Sequence, residues 1–193
     1  MTLKSIPNIL TALRIGLSLA VFFALAAAAR NGYGGAGPRA MSLLVLFAFF
    51  AFVICALTDF FDGWLARRLD AQSAWGAILD PIGDKIAVLA AIFGLILLEP
   101  RLGVAVPGFL ILFREMFVSG LREAGAGKGL KFPVTYLAKW KTTVQLVALS
   151  LEILAASVHS SGLVLVSDLL LWIAALMTLW TGGQYMLAAA RQL

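Results

Sequence analysis

Four aspartates, Asp59, Asp62, Asp80 and Asp84, sit in two segments that are otherwise largely apolar. Carboxylates bind hard cations, accept hydrogen bonds and take up protons, and a site built from several of them requires that they converge. If both segments are helical, the spacing of three (Asp59, Asp62) and of four (Asp80, Asp84) puts each pair on one face. Gly63 and Ala66 lie on the first acidic face, and Gly76 and Gly83 flank the second. Side-chain bulk is therefore missing where the carboxylates gather, which leaves room for a ligand. A carboxylate placed in hydrocarbon costs about 3 kcal/mol on insertion scales, so four need compensation. Arg67 and Lys85 are too few to neutralise them and still leave a site. Two divalent cations, Mg or Mn, suit an all-oxygen donor set, and two such ions close together clamp displacement at phosphorus.

The chain that must position these groups has 193 residues, is 62% hydrophobic and carries a net charge of +5. Soluble domains are nearer one half apolar. At about 20 apolar residues per helical span, there is room for about six spans after loops. Strands of a membrane barrel would alternate, and these runs do not. The expected fold class is all-α, a polytopic membrane bundle of six transmembrane helices forming a single domain over 1–193. The positive residues lie mostly in short loops and at span ends, where they set topology and meet headgroups. Membrane lipids are thus expected partners and nucleic acid is not. The single Cys55 lies in an apolar run and reads as a small packing residue.

In chain order, Ser5-Ile6-Pro7-Asn8 precedes an apolar helix to about Ala29. It resembles a signal peptide, but Arg14 interrupts the apolar run, so an uncleaved first span is expected. Asn8 and Thr11 are placed either to reach a ligand or, for Asn8, to cap the helix, with Arg14 snorkelling. Arg30 to Arg39 reads as a loop, Met41 to Ala66 as the second span, and Gly76 to Leu98 as the third. Leu102 to Glu123 is the fourth span, with Arg114 and Arg122 within about 80° of one another around the helix. Arg114 is either one half of an ion pair or part of an anion clamp. Pro133 opens a fifth span to about Ala156. Lys139 and Lys141 differ by about 200° around it, so at most one points squarely into a site. His159 reads as a solvated loop residue. The sixth span runs from about Leu163 to Ala190, with Asp168 expected at the interface and Gly182-Gly183 serving helix packing or a groove for lipid tails.

The spacing Asp59, Asp62-Gly63, Ala66-Arg67, Gly76, Asp80, Asp84 resembles, at all eight positions, the signature of the CDP-alcohol phosphotransferase family of integral membrane phospholipid-synthesising enzymes. The stretches around Pro7-Asn8-Thr11-Arg14, Arg114-Glu115, Leu121-Arg122-Glu123 and Lys139-Trp140-Lys141-Thr142 are similar to the branch that uses glycerol 3-phosphate, over nearly the whole chain. The resemblance implies that Asp59, Asp62, Asp80 and Asp84 bind two divalent ions and that Asp84 is the general base. It implies that Asp59, Asp62, Gly63, Ala66, Arg67 and Gly76 hold the CDP moiety of CDP-diacylglycerol, with Asn8 and Thr11 close to the nucleotide. Arg114, Arg122, Lys139 and Lys141 form a basic side suited to the phosphate of sn-glycerol 3-phosphate. A homodimer is expected on the same ground. Other acceptors in the family, inositol phosphate, serine or phosphatidylglycerol, are the competing readings, and an ion or proton carrier using its carboxylates as a relay is a more remote one.

Loop charges give the orientation. With the amino terminus inside, cytoplasmic segments hold Lys4, Arg67, Arg68, Arg122, Lys128, Lys131 and Arg191, against Arg30, Arg39 and Arg101 outside. Both termini are then expected in the cytoplasm of a bacterial cell, with the acidic stretch just inside the cytoplasmic face of its inner membrane.

Overall fold

The computed structural model describes residues 6–34, 38–69, 74–127 and 136–192, and the side chains of some helical residues among them, 59–69, 74–78, 80 and 136–139 included, lie outside the description. The described residues form six helices and no strand: α1 (Ile6–Gly34), α2 (Pro38–Leu69), α3 (Ala74–Leu98), α4 (Leu102–Ala126), α5 (Tyr136–Val158) and α6 (Ser161–Ala190). Each contains a stretch long and apolar enough to cross a bilayer. In hydrocarbon the backbone must satisfy its own hydrogen bonds, and a helix does so within one segment. The all-α membrane bundle expected from composition is the observed fold.

The helices reach further than the expected spans. α1 continues to Gly34 and α2 starts at Pro38, so most of the stretch read as a loop over Arg30 to Arg39 is helical. Pro38 does not oppose this, because a proline in the first turn has no intrahelical N–H bond to lose. The turn between α5 and α6 is short. His159 is exposed there and takes φ 52°, the left-handed conformation that stops a helix. Ser160 Oγ then caps α6 by accepting from the Leu163 N–H at 3.4 Å.

Packing divides the bundle into two halves. α1 lies against α2 and α3, α6 lies against α5 and α4, and the halves meet mainly where α2 packs on α5. The buried seams are rich in alanine, including Ala28, Ala48, Ala51, Ala91, Ala174 and Ala175. Lipid tails are as apolar as leucine, so close backbone approach and dispersion, rather than a hydrophobic drive, hold such helices together. α1 and α3 approach so closely that a Cβ on Gly94 would stand 2.6 Å from Leu25 Cδ1. The outward surfaces carry the large apolar side chains, among them a stacked ladder of Phe109, Phe113 and Phe117 along α4 with centroids 6.2 Å apart. Cys55 is buried in the core, as expected of a packing residue.

Leu25 is fully buried and has nowhere to swing. Gly94→Ala is therefore expected to destabilise the bundle by about 1–3 kcal/mol, the usual range for overpacking. A lower midpoint of thermal unfolding in detergent, with Gly16→Ala (no atom within 4 Å of the added carbon) as control, checks this.

Candidate active site

Successive helices run antiparallel, so the end of α2, the start of α3, the end of α4 and the start of α5 lie at one end of the bundle and the α3–α4 and α5–α6 turns at the other. A cavity of about 670 Å³ opens between the two halves, lined by residues from α1 to α6. Its floor on the α1–α3 side is polar because of one long-range pair. Arg14 Nη1 donates to Asp84 Oδ1 at 2.9 Å. Arg14 is 1% exposed, whereas the Asp84 side chain is 50% exposed and faces the cavity. Snorkelling by Arg14 is thus corrected: its guanidinium turns inward, because the Asp84 carboxylate at the cavity edge meets its charge without a long reach to the interface. Ser18 Oγ donates to the Arg14 carbonyl at 2.7 Å in the same layer. Lys85, next to Asp84, donates to Ser119 Oγ and ties α3 to α4.

The opposite wall is basic. Arg114, 5% exposed on α4, donates through Nη1 to Glu115 Oε1 at 3.1 Å and through Nη2 to Thr181 Oγ1 at 3.0 Å. Lys141 on α5 is 6% exposed and donates to the same Glu115 oxygen. Of the two readings given for Arg114, the ion pair is observed, and the same residue also lines the cavity. Arg122 Nη2 donates to Tyr185 Oη at 2.7 Å. Its guanidinium lies 4.9 Å from the Tyr185 ring centroid, and that of Arg114 lies 5.8 Å from it. Gly182 makes room for this arrangement: a Cβ there would stand 2.9 Å from Arg114 Cγ. Arg114, Arg122 and Lys141 thus converge on one cavity across from Asp84, a layout suited to a phosphate on one side and a proton acceptor on the other.

The remaining residues singled out in the sequence stand differently. Asp59 and Asp62 lie in α2 and Asp80 lies in α3 with Asp84, so each pair shares a helical face through backbone pitch alone. The side chains of Asn8, Asp59, Asp62, Gly63, Ala66, Arg67, Gly76, Asp80 and Lys139 lie outside the described residues. Thr11 is buried one turn before Arg14 and is not on the wall of this cavity. Among the described residues no three His, Cys, Asp or Glu side chains gather as a metal would need. Sequence reasoning missed Glu115 as the shared counter-ion, and Thr181 and Tyr185 as supports of the arginines. The signal for the last two was present: Thr178, Thr181 and Tyr185 recur at three and four residues in an apolar helix, one polar stripe.

Comparison with known proteins bears directly on this layout. Residues 4–180 match the family model described as CDP-alcohol phosphatidyltransferase. The chain belongs to that family. Similar proteins include one from Cereibacter sphaeroides, 43% identical over 169 residues that cover 82% of this chain and 68% of the relative. Another, from Rickettsia bellii, is 41% identical over 143 residues, 72% of this chain and 77% of its own. A third, from Haemophilus influenzae, is 34% identical over 140 residues, 72% and 74% of the two chains. All three are named CDP-diacylglycerol–glycerol-3-phosphate 3-phosphatidyltransferase. Family membership and six apolar helices make this an integral membrane transferase of phospholipid synthesis.

Tyr185→Phe keeps the ring under both arginines and removes only the hydroxyl that orients Arg122. Loss of one such bond, about 1 kcal/mol, is expected to weaken binding of inorganic phosphate roughly fivefold, read by calorimetry on the detergent-solubilised protein.

Proposed function

We propose that this protein transfers the phosphatidyl group of CDP-diacylglycerol to sn-glycerol 3-phosphate, giving phosphatidylglycerol phosphate and CMP. The observation that carries the acceptor is the basic wall of Arg114, Lys141 and Arg122 facing Asp84 across one cavity. An acceptor that already bears a phosphate is what three cations on that wall would select, and the names of the three relatives agree. Lys139 is the fourth basic residue assigned to this side by the sequence pattern.

In the reaction, a hydroxyl oxygen of the acceptor bonds to the phosphorus that carries the diacylglycerol, and the bond from that phosphorus to the oxygen shared with CMP breaks. Asp84 takes the hydroxyl proton. Its half-exposed carboxylate reaches the cavity while Arg14 holds it from behind and offsets its charge. Asp59, Asp62, Asp80 and Asp84 would hold two divalent cations, Mg or Mn, and an all-carboxylate donor set fits those ions. When bound they supply charge neutralisation at the diphosphate and at the departing phosphate. Asp59, Asp62, Gly63, Ala66, Arg67 and Gly76, with Asn8 and Thr11 on α1, are assigned to the CDP moiety. Arg114 and Lys141 hold the acceptor phosphate so that the hydroxyl, not the phosphate, meets the donor.

The reading extends to setting. One family domain accounts for the chain, the membrane is the bacterial inner membrane, and the excess of Lys and Arg at the cavity end favours a cytoplasmic active site and cytoplasmic termini. Acyl chains of the donor remain in the bilayer and the soluble acceptor enters from the cytoplasm. The working form is a homodimer.

With labelled CDP-diacylglycerol, CMP release is expected with glycerol 3-phosphate and to fall away with serine, inositol phosphate or phosphatidylglycerol; preference for any of these overturns the acceptor assignment. Asp84→Asn is expected to lower kcat by about 10²- to 10⁴-fold, the usual share of a general base. Arg114→Ala removes a charged hydrogen bond worth about 1.5–3 kcal/mol and is expected to raise the acceptor KM by about 10- to 150-fold, with little change in the donor KM.

A further inference from the structure

At the opposite end of the bundle a second charged cluster lies clear of the cavity. Arg101, in the α3–α4 turn, donates through Nη2 to Glu152 Oε2 at 2.6 Å and through Nη1 to both Asp168 oxygens at 3.1 Å. Its Nε lies 3.3 Å from Glu99 Oε2 at the surface. Burial opposes the charge on Arg101, but the hydrogen bond and charge of Glu152, followed by the charges of Asp168 and Glu99, hold its pKa above the ordinary arginine value. The cluster is built into the packing. A Cβ on Gly103 would stand 2.6–2.7 Å from the Asp168 carboxyl, so glycine at that position is what admits it.

Glu152 is the anomalous member. It is fully buried on α5, and its second oxygen, Oε1, has no hydrogen-bond donor among the described residues. Arg101 holds Asp168 beside Glu152 on one guanidinium, and two ionised carboxylates have only acceptors to offer each other. One arginine cannot offset the fully buried Glu152 together with two partly exposed carboxylates, Asp168 and Glu99. A metal ion is not the remedy, because among the described residues no three such ligands gather. No other charge is at hand. α2 carries none between Arg39 and Asp59, α3 none between Lys85 and Glu99, α4 none between Arg101 and Arg114, and α6 none between Asp168 and Arg191. Among the described side chains at this end, Arg30, Arg39 and His159 are exposed.

We infer that Glu152 and Asp168 form a buried proton-binding site, in which Glu152 Oε1 carries a proton and donates it to Asp168. The proton satisfies the orphan oxygen and removes the repulsion between the pair. Arg101 then faces one carboxylate and one carboxylic acid. The site joins the α3–α4 turn, α5 and α6; Arg114 on α4, Lys141 on α5 and the supporting Thr181 on α6 lie roughly 17–20 Å away along each helix. Proton occupancy therefore sets how firmly the acceptor half of the bundle is clamped. This inference is independent of the proposed reaction.

Gln is an isostere of the protonated acid: its carbonyl accepts from Arg101 and its amide donates to Asp168. A carboxyl that keeps its proton in the fold and gives it up on unfolding favours the folded state at low pH and less so as pH rises. In thermal unfolding of the full chain in lipid nanodiscs, Glu152→Gln is expected to match the unsubstituted protein at about pH 6 and to hold its midpoint at about pH 9, where the unsubstituted protein drops by about 3 °C or more. Glu152→Ala is expected to be less stable at both. Should Glu152→Gln lose as much as Glu152→Ala at both pH values, Glu152 is an ionised partner of Arg101 and the inference fails. Infrared spectroscopy gives a second reading that does not depend on stability: a protonated-carboxyl C=O band at neutral pH that Glu152→Gln removes. Absence of that band overturns the proposal.

Discussion

Charge buried in a low-dielectric interior must be met by charge or by a proton, and the arrangement of this bundle follows from that demand. Most of the helix surface is interchangeable apolar bulk, and the seams are alanine and glycine, which permit close approach without dictating which helix meets which. Among the described residues, three ionic groupings supply the choice. Arg14 with Asp84 ties α1 to α3, Arg114 with Glu115 and Lys141 ties α4 to α5, and Arg101 with Glu152 and Asp168 ties the α3–α4 turn to α5 and α6. Such pairs add little net stability against well-packed apolar replacements, yet leaving one partner alone is costly, so they act chiefly as register marks.

The same demand explains the asymmetry of the cavity. On the α1–α3 side the cation is buried and the carboxylate is presented; on the α4–α6 side the carboxylate, Glu115, is shared between two cations that are themselves nearly inaccessible. Aromatic support from Tyr185 and a small residue at Gly182 help to fix Arg114 in place. A guanidinium held by a ring face and a threonine hydroxyl is oriented before any anion arrives, which lowers the ordering cost of binding.

Much of this could be read in the residues alone. Six spans follow from apolar run length, and α4 starts at the expected Leu102. The pairing of Asp59 with Asp62 and of Asp80 with Asp84 on shared faces follows from helical pitch, and Arg114, Arg122 and Lys141 were legible as a basic set because charges inside spans are rare. What escaped was the identity of partners. Arg14 and Asp84 are separated by seventy positions, and nothing local distinguishes an inward guanidinium from a snorkelling one. In the sequence Glu152 is not singled out and Arg101 reads only as an outer-loop charge, although a lone glutamate within an apolar helix implies a counterpart somewhere. Asp168, expected at the interface, is part of that counterpart and is only partly exposed. Helix ends were misjudged for another reason: glycine and proline near Arg30 to Arg39 suggested a loop, where a first-turn proline is harmless.

Because the halves α1–α3 and α4–α6 are each internally packed and touch mainly through α2 and α5, the pocket is a seam rather than a hole drilled through one core. The carboxylate face and the cationic face belong to different packing units. Substitutions that re-shape the grip on one small molecule can accumulate along α4, α5 and α6 without disturbing the alanine contacts that keep Asp84 and its neighbours in place.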